Sequence, residues 1–188
     1  MNTIRQHIRT LIMDIVPLDE TETLHRKEAL DWIDSTTALF RLKSPDVPPK
    51  HLVSYFVLYD EATNLIMLID HVKARLWLPT GGHVEPDENP RTTITREAEE
   101  ELKIDADFST RFNDQPLFLT VTTTRGFGTH IDVSLWYIIK GDSTQELDYD
   151  TREMNGYRWL SPVEILTTDI AELDPHMHRF VQKLQRRI

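Results

Sequence analysis

Gly81-Gly-His-Val-Glu-Pro-Asp-Glu88-Asn-Pro-Arg-Thr-Thr-Ile-Thr-Arg96-Glu97-Ala-Glu-Glu100-Glu101-Leu-Lys-Ile104 decides how this chain is read. A glycine turn leads through a loop into one helix. Asn89 suits the N-cap and Pro90 the first helical position, where its missing N–H is harmless, so the spacing predicts a helix from Pro90 to about Leu102. At about 100° per residue, Glu97, Glu100 and Glu101 share one arc, while Ile94, Ala98 and Leu102 form the adjacent apolar stripe. Glu99 points away from both. Like charges four residues apart destabilise a helix by about 0.2–0.5 kcal/mol, and anions near its C-terminus oppose the macrodipole. The arc therefore calls for a cation, and its all-oxygen donor set suits Mg²⁺ or Mn²⁺. A solvated acidic face is the commoner meaning of such a run, and the helix residues alone leave both readings open.

The segment resembles the signature of the Nudix hydrolases: Gly, five residues, Glu, seven residues, then Arg-Glu-aliphatic-any-Glu-Glu-any-Gly-aliphatic. Those places hold Gly82, Glu88, Arg96, Glu97, Ala98, Glu100, Glu101 and Ile104. At average residue usage the six fixed matches coincide by chance on the order of once in 10⁷ windows. Lys103 stands where the family has Gly. The helix must then end on a different cap or hold a non-Gly residue in the left-handed region, at roughly 1–2 kcal/mol.

The resemblance implies an α/β fold, a Nudix-type α/β/α sandwich with a mixed β-sheet. It also implies hydrolysis of a diphosphate linkage in a small molecule, a nucleoside diphosphate derivative being favoured, with Mg²⁺ or Mn²⁺ as cofactor. Glu97, Glu100 and Glu101 would hold the metal with the Gly81 carbonyl, and Arg96 and Glu88 would brace the loop. The base would be Glu97 or a loop carboxylate ahead of Trp159. Glu153 is the candidate, also as an extra metal ligand, with Glu146, Asp148 and Asp150 as rivals. Family members that isomerise prenyl diphosphates use a Cys, and this chain has none. A non-catalytic nucleotide-binding module is the alternative; retention of all four signature Glu favours the enzyme.

A chain of 188 residues with 39% hydrophobic and 28% charged residues is globular, and the lack of cysteine fits a reducing compartment. Arg5, Arg9 and Asp14 interrupt the apolar runs near the start, and no stretch approaches 18 apolar residues, so a cytoplasmic protein without signal peptide or membrane span is expected. A net charge of −10 disfavours nucleic acid as partner, because binding there needs Lys and Arg against phosphate.

Ile4, Ile8, Leu11, Ile12 and Ile15 predict a helix over about 3–15. Asp19 and Glu22 form a capping-box pattern, with Leu24, Ala29, Leu30 and Ile33 as the apolar side of a second helix to about Asp34. Its acidity argues against a DNA-reading helix pair and for a packing or dimerisation extension over 1–45, the main domain following over 46–188. Period-two patterns predict strands at His51–Tyr59, Leu65–Ile69, Leu117–Val121, Ile131–Tyr137 and Gly156–Leu160. Lys73 and Arg75, just before the glycine turn, and Arg125 and Phe127, in the loop between the strands Leu117–Val121 and Ile131–Tyr137, are candidate substrate contacts for phosphate and base. His130 and Asp132 share a strand face and could ligate metal, but a structural role is the favoured reading. Asp174 and Pro175 are expected to cap and open a last helix buried through Met177, Phe180, Val181 and Leu184.

Overall fold

The computed structural model describes residues 3–43, 47–124 and 129–187. In chain order the elements are α1 (Thr3–Asp14), α2 (Glu20–Ser35), β1 (Lys50–Asp60), β2 (Leu65–His71), β3 (Trp77–Leu78), β4 (Thr80–His83), α3 (Pro90–Leu102), β5 (Phe118–Thr123), β6 (Ile131–Lys140), β7 (Met154–Leu160), α4 (Pro162–Thr167) and α5 (Met177–Gln185), with a 3-10 turn at Ile170–Glu172. The seven strands form one sheet in the order β3-β2-β1-β6-β5, with β4 paired to β1 and β7 to β2. The sheet is mixed. β5 and β6 are antiparallel, whereas Ile131 N–H bonds to Pro49 O and Gly141 N–H to Tyr59 O, a constant offset that makes β1 and β6 parallel. The expected α/β class is what the structure has.

Two compact units are distinguished: Met1–Tyr55 with Gly81–Ile94 and Gln115–Tyr137, and Phe56–Thr80 with Thr95–Asp114 and Ile138–Ile188. In the first, Trp136 is fully buried edge-on to Phe118 and Tyr55, and its Nε1 donates to Thr120 Oγ1 at 3.0 Å. The two N-terminal helices pack on each other and α2 packs on β5, so the extension shares this core. Ile8, Ile12, Ala29 and Ile33 are fully buried, while Leu24, expected on the apolar side, is 58% exposed because it falls on the opposite arc. Asp19 caps α2 by accepting from Glu22 N–H. The buried Glu22 carboxylate accepts from Leu18 N–H at 2.6 Å and from Leu119 N–H of β5 at 3.2 Å. Arg9 grips Asp34 at 2.8 and 3.1 Å, and Lys50 reaches Glu28 at 2.7 Å.

In the second unit β2 is the hub, with Ile69 opposite Leu78 of β3 and opposite Tyr157 of β7. The two-residue β3 and the glycine-rich β4 went unread in the sequence because neither is long enough to show a period. Met177, Phe180, Val181 and Leu184 are buried as expected, but α5 begins at Met177. Asp174 accepts from His176 N–H at 2.8 Å and Met177 N–H bonds to its carbonyl, so Asp174 and Pro175 form a turn ahead of the helix. His178 Nε2 lies 2.9 Å from Ile165 O and 3.1 Å from Thr168 O, a link from α5 to the end of α4. Among the described residues no helix is long and apolar enough to cross a membrane.

The β1–β2 turn is organised by Asp60, whose carboxylate accepts from Ala62 N–H (2.9 Å), Thr63 N–H (3.2 Å), Ser143 N–H (3.0 Å) and Ser143 Oγ (2.6 Å). Burial raises its pKa, but the hydrogen bonds from Ser143 and Thr63 outweigh that and hold it well below the ordinary value. A depressed folded-state pKa means that the unfolded chain takes up this proton first as pH falls. The stabilisation is therefore complete at neutral pH and is lost below the ordinary carboxylate value of about 3.9. Urea denaturation of Asp60→Asn at pH 7 and pH 3 should show a smaller stability difference between the two pH values than wild type.

Candidate active site and an adjoining histidine cluster

Gly81 opens the site on β4 with φ of +145°, a conformation that L side chains rarely adopt. A Cβ there would stand 2.2 Å from Ser54 O and 2.8 Å from Tyr55 Cα, so only glycine lets β4 approach β1. Beyond it Glu88 ties the loop to the helix start: its Oε2 accepts from Glu85 N–H at 3.0 Å and from Thr93 Oγ1 at 2.7 Å. Asn89 caps α3 through Arg91 N–H at 2.9 Å, with Pro90 at the first position. Asn89 Nδ2 also lies 3.2 Å from His7 Nε2 of α1, so the N-terminal extension touches the signature loop itself.

α3 has the predicted phase. Ile94, Ala98 and Leu102 are fully buried and Glu99 is exposed. Arg96 Nη1 contacts Glu97 Oε1 at 2.7 Å and Glu100 Oε2 at 3.5 Å, drawing two signature carboxylates toward one guanidinium. Glu97 is mostly covered, with 13% side-chain exposure against 60% for Glu100, and Oε2 of Glu101 is buried. At the helix end Lys103 has φ of 54°, in the left-handed region that favours glycine. Its Nζ turns back to donate to Glu99 O at 3.2 Å and Glu100 O at 3.1 Å. The ammonium thus satisfies terminal carbonyls and complements the dipole, offsetting part of the backbone strain.

The acidic loop before β7 docks on the same helix end, because Asp150 N–H donates to Glu101 O at 2.8 Å. Arg152 chelates the Asp150 carboxylate, with contacts of 2.6 to 3.0 Å, and these bonds hold its pKa down at about 2. Glu153 instead faces Lys73, whose Nζ is 3.1 Å from both its oxygens. The proposed loop carboxylate and the proposed phosphate cation are therefore paired with each other. Arg75 is exposed with φ of 55° in the turn before β3. Arg125 and Phe127 lie outside the described residues.

The sequence reading missed a second constellation. His51 of β1, His83 of β4, His130 and Asp132 present ligand-type atoms all within 4.8 Å of one another. Asp132 Oδ1 lies 3.3 Å from His51 Nε2 and 3.2 Å from His130 Nε2. His51 is fully buried and stacks on His130 with ring centroids 4.9 Å apart, and His83 lies 4.8 Å from His51 by the same measure. Burial pushes the pKa of His83 down to about 3, with Arg41 and His51 adding to the shift and Asp132 opposing it. Only the His130–Asp132 spacing was visible in the sequence, because His51 and His83 join them through strand pairing between distant segments.

Two substitutions probe the backbone of the signature. Gly81→Ala should lower stability by about 3 kcal/mol or more, from a forbidden φ and a clash with backbone atoms. Lys103→Gly should raise stability by roughly 0.5–1 kcal/mol, since relief of about 1–2 kcal/mol of strain exceeds loss of a terminal charge worth about 0.3–1 kcal/mol. Thermal and urea denaturation measure both.

The fold is shared with known proteins. The family model for the NUDIX domain matches residues 49–184. A comparison with curated proteins finds no match. Among solved structures, the chain is similar to a Nudix-family hydrolase from Clostridium perfringens, with a TM-score of 0.54, 18% identity, and coverage of 72% of this chain and 97% of that one. It is also similar to the ORF135 protein of E. coli, with a TM-score of 0.51, 23% identity, and coverage of 73% and 89%. The E. coli dihydroneopterin triphosphate pyrophosphohydrolase gives a TM-score of 0.53 at 16% identity, covering 77% of this chain and 99% of that one. These likenesses carry the fold, while the match over residues 49–184, with its signature on a loop and helix of the required phase, makes this chain a member of the Nudix hydrolase family.

Proposed function

We propose that the protein hydrolyses a diphosphate linkage in a small nucleoside diphosphate derivative, by attack of water on phosphorus, with Mg²⁺ or Mn²⁺ as cofactor. The observation that carries this reading is the phase of α3: the apolar stripe is buried, Glu99 faces solvent, and Glu97, Glu100 and Glu101 remain on the arc between them. The donor set suits the ion, since three carboxylates concentrated near a helix C-terminus, Glu97 mostly covered and Glu101 with an oxygen buried, offer the all-oxygen ligands that Mg²⁺ or Mn²⁺ takes. By the family pattern the Gly81 carbonyl joins these ligands. When bound, a divalent ion in such a site lowers the pKa of water and offsets charge on the phosphate oxygens.

The chain's own groups set the geometry. Arg96 steers Glu97 and Glu100, Glu88 fixes the loop to the first turn of α3, and Lys103 and Asp150 N–H close its last turn. Of the two candidates for the base, Glu97 is engaged by Arg96 at 2.7 Å, while Glu153 carries an exposed lysine partner on a loop anchored to α3. That difference favours Glu153 as base and Glu97 as ligand. Lys73, released from Glu153 when phosphate arrives, would then serve the substrate, with Arg75, Arg125 and Phe127 as the other proposed contacts.

Phosphate and pyrophosphate release from nucleoside triphosphates, dinucleoside polyphosphates, nucleotide sugars and ADP-ribose, with Mg²⁺ or Mn²⁺, tests the reaction and names the substrate class. Glu101→Gln should reduce kcat by orders of magnitude, and Glu99→Gln should leave it unchanged. Equal loss in both would show that the helix phase does not govern the chemistry. Glu153→Gln should lower kcat with little change in the amount of metal bound, whereas Glu97→Gln should weaken metal binding.

A further inference from the structure

We propose that His51, His83, His130 and Asp132 form a second metal site, a closed three-histidine, one-carboxylate centre for Zn²⁺, separate from the carboxylates of α3. The ligand set comes from three strands: His51 near the start of β1, His83 at the end of β4, and His130 with Asp132 where β6 begins.

Distances and hydrogen bonding support it together. Zn²⁺ with bonds of about 2.0–2.1 Å in a tetrahedron sets its ligand atoms about 3.3–3.4 Å apart. Asp132 Oδ1 lies 3.3 Å from His51 Nε2 and 3.2 Å from His130 Nε2, already close to two edges of such a tetrahedron. Among the described residues Asp132 Oδ1 is buried and makes no hydrogen bond, so these short approaches are not aligned for a proton between the atoms. The outer nitrogens are held as metal-ligating imidazoles usually are. His51 Nδ1 is 2.9 Å from Pro48 O, an acceptor only, so that nitrogen carries the proton and Nε2 keeps its lone pair toward Asp132. His130 Nδ1 is 3.1 Å from Thr124 Oγ1, which also accepts from His130 N–H. Thr124 Oγ1 gives its own proton to His130 O at 3.3 Å, so it accepts from Nδ1, which leaves Nε2 as the inward acceptor.

Two imidazole lone pairs converging on a carboxylate make an electron-rich pocket, and a dication shared among them resolves it. Imidazole with one carboxylate suits zinc, copper, iron or nickel, and the near-tetrahedral edges of 3.2 and 3.3 Å select zinc among them. Four protein ligands leave a tetrahedral ion no open position, so the site is structural. Its place in the chain gives its effect: His83 is two residues beyond Gly81, and fastening it to β1 and β6 holds the strand that presents the Gly81 carbonyl.

The full-length protein, stripped with a zinc chelator and re-exposed to Zn²⁺ alone, should retain one zinc ion per chain by elemental analysis and melt several degrees higher than the stripped form. Asp132→Asn and His130→Gln should lose that zinc. The double variant Glu97→Gln/Glu101→Gln should keep it even with diphosphate hydrolysis abolished, which separates this site from the proposed reaction. Thr124→Val, which removes the hydroxyl's bonds to Nδ1, N–H and the carbonyl of His130 while leaving all four ligands in place, should weaken zinc binding about 10–100-fold. Should Asp132→Asn not fold, Co²⁺ in the wild-type protein decides: intense visible bands of tetrahedral Co²⁺ support the site. A folded wild-type chain that retains no zinc overturns the proposal. So does an octahedral Co²⁺ spectrum, or zinc that disappears with the α3 carboxylates and persists in Asp132→Asn.

Discussion

The approach of Gly81 to the Ser54 carbonyl is the constraint on which the signature strand depends. A side chain of any size at that point would displace β4 from β1, and with it the loop that begins three residues later. Everything downstream takes its position from that contact. The loop is cross-braced by Glu88, the helix is started by Asn89 and Pro90, and His83 sits at the strand end where the chain leaves the sheet. A backbone clearance of ångström scale thereby seats the strand and the start of the loop that carry the glycine turn.

Charge is the second organising quantity. α3 concentrates like charges where the helix dipole is least tolerant of them, and the protein answers with cations on each side of the problem. Arg96 draws Glu97 and Glu100 together, and Lys103 occupies the terminal carbonyls at the expense of a strained backbone. Geometry that glycine would supply through freedom of φ is here held by an ammonium folded back on the helix.

Much of this was legible in the sequence, for reasons that name its limits. The signature helix was readable to the residue because its cap, its proline and its apolar stripe are local and agree. The long strands showed through period two, while β3 and β4 are too short to carry any period. Asp174 and Pro175 looked like a helix start and form a turn instead, because the same residue types serve both and the hydrogen bonds of His176 and Met177 make the choice. The pairing of Lys73 with Glu153 and the meeting of four ligand-type side chains from three strands were invisible, since both depend on registers between segments far apart in the chain.

Glu22 has a role that reaches past local capping. β5 ends the strand order, and Leu119 N–H points outward from that edge into the Glu22 carboxylate, with α2 packed along the strand. An exposed strand edge is a template for pairing with another chain. α2 and the Glu22 carboxylate occupy the border of β5 where a further strand would otherwise pair, so the cover of that edge is written in residues outside the signature.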